Sequence, residues 1–99
     1  MINENSTKTE VLEAVRQNGY ALEYASEALR GDRDVVLAAV NQNGLALQFA
    51  SHAMRDDEDV VMAAVREDGY ALEWASEKLQ KDIDAMAEVL RPIAKELKK

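Results

Sequence analysis

The chain has no cysteine, which excludes disulfides and thiolate metal sites. His52 is its single histidine, so no second imidazole exists to complete a metal site or a histidine-based catalytic pair. Four glycines are scattered as isolated residues, and a phosphate-cradling loop needs them clustered. The longest purely apolar run, Val35 to Val40, is far too short to span a bilayer. The opening Met1-Ile2-Asn3-Glu4-Asn5-Ser6 has neither a basic end nor an apolar stretch, so no signal peptide is expected and a cytoplasmic location is the default. Basic charge is in deficit: 12 Lys and Arg against 19 Asp and Glu leave a net charge of −7. Direct nucleic-acid binding needs a basic face to displace counterions, and docking on anionic membrane needs one too. Both are read as absent.

What is present is a repeat, and the search for one decides this chain. Asp32–Asp56 laid under Asp57–Lys81 gives twelve identities in 25 positions. Thr7–Gly31 fits the same template, and Asp82–Lys99 starts it again before diverging. The organisation expected is a frayed N-terminus over 1–6, units at 7–31, 32–56 and 57–81, and a cap over 82–99. The fold class is all-α: a small α-solenoid of 25-residue helix-turn-helix repeats, about three and a half units, closed by a C-terminal capping helix.

Each unit opens on a residue whose side-chain oxygen can cap a helix: Thr7, Asp32, Asp57 and Asp82. Thr7 and Glu10 have the spacing of a capping box. The apolar stretches Val11–Val15, Val35–Val40 and Val60–Val65 then read as buried helices near 8–18, 33–43 and 58–68. Gly19, Gly44 and Gly69 follow Asn18, Asn43 and Asp68, and are read as helix stops in the left-handed conformation. On that reading Gly44→Val destabilises, whereas Gln42→Ala, at an exposed neighbour, is neutral. A second, shorter helix follows in each unit, built on Ala21–Ser26, Ala46–Ser51 and Ala71–Ser76. In the last segment Ile83, Met86, Leu90, Ile93 and Leu97 keep a helical spacing across Pro92, which predicts a longer helix kinked or broken there.

The run Asp32–Ser51, with its V-x-A-V-x-x-N/D-G-x-A-L-x-aromatic-A-S string, resembles the tandem repeats of domain of unknown function 4116. The likeness covers about residues 7–81. Such repeats occur, often many in a row, in large proteins of bacteria and protists. The resemblance implies an all-helical repeat fold and carries over no catalytic or ligand residues.

Repetition supplies an internal control for candidate sites. His52 has Glu27 and Glu77 as counterparts, so it occupies a solvated position. The Asp32/Asp34, Asp57/Asp59 and Asp82/Asp84 pairs lack the later ligands and central glycine of a calcium loop, and helix capping accounts for them. No catalytic residue, metal site or cofactor is expected, and the chain is read as a non-enzyme. Tyr24, Phe49 and Trp74 share one register position, and Tyr20, Leu45 and Tyr70 another. Either row can be core packing between units or a recognition stripe. The candidate partner-binding set is Tyr20, Leu45 and Tyr70 flanked by Glu23, Gln48 and Glu73, with alanine at Tyr20 and Tyr70 expected to leave folding nearly intact. The leading function is a protein-interaction module, scaffold or adaptor, whose partner is another protein. Two alternatives stand beside it: a small acidic inhibitor occupying a basic nucleic-acid-binding site, of the phage antidefence type, and a self-association unit forming homo-oligomers.

Overall fold

The structure, a computed structural model, describes residues 1–83. Three units follow one another, each built from a ten-residue α-helix, a six-residue 3-10 helix and a short α-helical turn. The order is α1 (Lys8–Gln17), η1 (Gly19–Tyr24), α2 (Glu27–Arg30), α3 (Arg33–Gln42), η2 (Gly44–Phe49), α4 (His52–Arg55), α5 (Glu58–Glu67) and η3 (Gly69–Trp74). No strand occurs among the described residues. The long helices fall where the repeat places them, and each starts on its expected cap. Thr7 and Glu10 form the full capping box, while Asp32 and Asp57 accept backbone N–H groups of the first turns of α3 and α5.

The second element of the unit is not an ordinary α-helix. Its inward face carries Gly19, Leu22 and Ala25, then Gly44, Leu47 and Ala50, spaced by three, and all six are buried. Residues three apart eclipse one another in a 3-10 helix, so a period of three buries this set on one line. The chain then runs extended through Ala25 (φ −73°, ψ 161°) and re-enters an α-turn whose first N–H groups are capped by Ser26. The same steps recur at Ala50-Ser51.

Stacking is parallel and regular. α1 packs on α3 and α3 on α5, while η1 packs on η2 and η2 on η3, giving one row of long helices and one of 3-10 helices. The core runs between the rows as Val11, Val15, Leu22, Val35, Val36, Val40, Leu47, Val60 and Val61, all fully buried. Backbone bonds tie unit to unit: Ser51 N–H donates to the Arg30 carbonyl at 3.0 Å and Ser76 N–H to the Arg55 carbonyl at 2.8 Å. The shape is correspondingly drawn out, 50 × 26 × 16 Å, with a radius of gyration of 14.9 Å. A compact domain of this length has about 12–13 Å.

Both ends depart from expectation. Residues 1–6, expected to fray, form a turn here: Asn3 N–H donates to Ser6 Oγ at 2.9 Å, Ser6 N–H to the Asn3 carbonyl at 3.0 Å, and Ile2 packs against the core. This turn covers apolar surface of the first unit that would otherwise meet water. At the other end Asp82 is not a cap, because residues 77–83 are helical without a break. In the first two units Gly31 and Asp56 close the short helix. Lys81 stands at that position in the third, favours helix more than either, and pairs with Glu77 one turn back at 3.6 Å. The remainder of the expected capping helix, including the kink at Pro92, lies outside the described residues.

Candidate partner-binding face

The residues that repeat most strictly turn out to join one unit to the next. Lys8 lies 3.1 Å from Asp32 and 3.0 Å from Asp34. One unit later Arg33 bridges Asp57 and Asp59, the latter at 2.9 Å. The second position of each of the first two units thus grips the first and third positions of its successor. Hydrogen bonds that Lys8 donates to Asp34 and Asp32 raise its pKa. Burial would lift the Asp32 carboxyl, but Lys8 and the N–H groups of Val35 and Asp34 outweigh it and hold the group below its ordinary value. Bonds from the Thr7 backbone and hydroxyl lower Glu10 likewise. The Asp pairs therefore cap helices and clamp units together. This ladder was legible in the sequence as a basic residue one position after each of the first two caps, Lys8 and Arg33, but only once the units are known to stack side by side.

The glycines are not left-handed helix stops. Among the described residues no glycine has a positive φ. The chain turns instead at Asn18, Asn43 and Asp68, which are extended (φ −150°, −150° and −153°). Their side chains accept the N–H groups of Tyr20, Leu45 and Tyr70 at 3.0, 3.0 and 2.9 Å and so start the 3-10 helices. Glycine is there for close approach. A Cβ on Gly19 would lie 2.5 Å from the Ala39 carbonyl oxygen, and one on Gly44 would lie 2.2 Å from that of Ala64. The first two 3-10 helices thus rest directly on the backbone of the next unit's long helix, at an alanine. Repetition of alanine at 14, 39 and 64 was the available signal. Gly69 meets nothing within 4 Å among the described residues. Gln42, expected to be dispensable, accepts the buried Gly19 N–H at 2.6 Å and belongs to the same joint.

With inward and inter-unit positions assigned, one face of the 3-10 row is left. The threefold period sets Tyr20 beside Glu23, Leu45 beside Gln48 and Tyr70 beside Glu73, and the stacked row brings the three pairs into one stripe along the molecule. Tyr70 is 80% exposed and Tyr20 37%, whereas Leu45 and Gln48 are half-buried and both glutamates are exposed. The structure therefore gathers the predicted set on a single outward surface. Its aromatic partners in the other row behave differently. Phe49 and Trp74 are half-buried, and only Tyr24, 47% exposed at the first unit, is open. The rows interlock instead of forming two separate ladders: Tyr20 meets Phe49 edge to face, with ring centres 5.9 Å apart and planes at 81°. Gln48 folds back to donate to the Leu45 carbonyl at 3.0 Å.

Elsewhere the surface offers little chemistry. His52 is exposed and its Nδ1 lies 2.8 Å from the Arg55 guanidinium, within one helical turn. Among the described residues no group of three His, Cys, Asp or Glu side chains converges as a metal site, and no helix is long and apolar enough to cross a membrane.

The family model described as Domain of unknown function (DUF4116) matches three overlapping stretches, residues 10–55, 32–80 and 57–91. No curated protein matches the chain. No solved structure does either.

Proposed function

Because the chain belongs to the Domain of unknown function (DUF4116) family, whose repeat it carries three times, we propose that it is a non-enzymatic protein-interaction module. The exposed stripe of the 3-10 row, Tyr20/Glu23, Leu45/Gln48 and Tyr70/Glu73, is its partner-binding face. The observation that carries this reading is Tyr70, 80% exposed on a face whose inner and inter-unit positions are filled by the fold. A large aromatic ring in water does nothing for folding, and such rings recur as anchors of interfaces. A repeated surface of this kind suits an extended partner laid across several units. The acidic-inhibitor alternative has less to draw on, since Asp32, Asp34, Asp57 and Asp59 are engaged by Lys8 and Arg33. Self-association would use the same stripe against a second copy.

The test compares the native chain with a Tyr70→Ala, Glu73→Ala variant, both immobilised and exposed to lysate of the source cell. A partner retained by the native chain and lost with the variant, at equal helicity and melting temperature, supports the reading. Equal retention by both places the binding face elsewhere. Sedimentation of the free chains checks for a dimer that only the native protein forms.

A further inference from the structure

The stripe has a chemistry as well as a position. Each tyrosine of the stripe is paired with a carboxylate on the same 3-10 face, Tyr20 with Glu23 and Tyr70 with Glu73. Among the described residues neither glutamate has a cationic partner, unlike the aspartates of the inter-unit ladder. Between the two pairs lie the apolar Leu45 and the uncharged Gln48, whose amide donates to the Leu45 carbonyl at 3.0 Å and so is held on its own helix. A ring beside a carboxylate is a receptor for a cationic side chain, because the ring face and the carboxylate attract the same charge. The net charge of −7 attracts such a partner over longer range.

The geometry points to a basic peptide as the occupant: an extended segment of a partner protein with one arginine or lysine on Tyr20/Glu23 and another on Tyr70/Glu73. An apolar residue lies between them on Leu45. This rests on the stripe being a partner-binding face and adds the identity of what binds it. Packed helices lie about 8–10 Å apart, so two unit steps separate the two cation subsites by roughly 20 Å. A polyproline II chain advances about 3.1 Å per residue with about three residues per turn, which sets the two basic residues about six positions apart and turns the apolar one midway to the same face. All three positions then face the stripe, and the peptide runs across the units and not along a single 3-10 helix.

The probe is a labelled nine-residue peptide with arginine at its second and eighth positions, leucine at its fifth and glycine or serine elsewhere. Binding to the full chain is followed by fluorescence anisotropy. We expect saturable binding that weakens at least tenfold in a Glu23→Lys, Glu73→Lys variant and partly in Glu23→Gln, Glu73→Gln, with unchanged melting temperatures. Raising salt should weaken it as well, and a peptide with adjacent arginines should bind less tightly. Absence of saturable binding overturns the proposal, and so does equal binding by the charge-reversed chain. Should the peptide fail while a cellular partner is still lost on changing Tyr70 and Glu73, the basic occupant is wrong and the interaction face itself survives.

Discussion

A methyl group added at position 44 has no room. Its carbon would lie 2.2 Å from the Ala64 carbonyl oxygen, so the second and third units must part to admit it. Gly44→Ala should therefore cost about 1–3 kcal/mol, the usual range for forced overpacking. Gly69, with nothing within 4 Å among the described residues, should accept alanine within about 0.5 kcal/mol. Thermal melts of the two variants separate close approach from the left-handed stop, which would penalise both substitutions alike. Gln42→Ala should cost about 1–2 kcal/mol, because it strips the acceptor from the buried Gly19 N–H. The sequence pointed at the right glycines for the wrong reason. Asn-Gly after an apolar helix has the composition of a left-handed stop, and nothing within a single unit reveals that the next unit's backbone sits against it. Tyr20 shows the same limit. Its edge-to-face contact with Phe49 means Tyr20→Ala should lose about 0.5–1.5 kcal/mol, where a freely exposed ring would lose nothing. Tyr70→Ala is the cleaner probe.

For the elements, caps and boundaries were legible because they rest on local chemistry. Thr7, Asp32 and Asp57 announce their helices by side-chain type and spacing. The 3-10 helices were not legible as such: their inner positions, Gly-x-x-Leu-x-x-Ala, suit a period of three, but short apolar stretches do not discriminate it from 3.6. Asp82 failed because the preceding residue, Lys81, favours continuing the helix where Gly31 and Asp56 end it. The clamps between long helices carry a pH dependence whose sign follows from the shifts. Asp32 and Glu10 are held below their ordinary pKa values, so their contribution is present above the unfolded carboxylate pKa and is lost as pH falls through the folded one. The melting temperature should drop on acidification from about pH 5 to about pH 2. Asp32→Asn, which keeps a capping oxygen but no charge, should lose less over that interval. An identical drop in both proteins would show that the Lys8–Asp32 clamp contributes nothing measurable. Arg33 is nearly half exposed, so Arg33→Ala should cost little, read as a small, salt-dependent change in denaturant midpoint.

The whole molecule is a short stack in which each unit touches only its neighbours, and function follows from what stacking leaves over. Long helices bury their apolar faces, the first two 3-10 helices bury Gly19 and Leu22 or Gly44 and Leu47 three apart, and the ladder uses the paired aspartates. What remains is the outward 3-10 stripe, its separate residues legible from the repeat and its continuity legible only in the fold. Amide hydrogen exchange of the chain with and without its captured partner tests this most directly. Slowed exchange confined to Gly19–Tyr24, Gly44–Phe49 and Gly69–Trp74, the three 3-10 helices, is the predicted result. Slowing confined to the long helices, with those three segments unchanged, would contradict it.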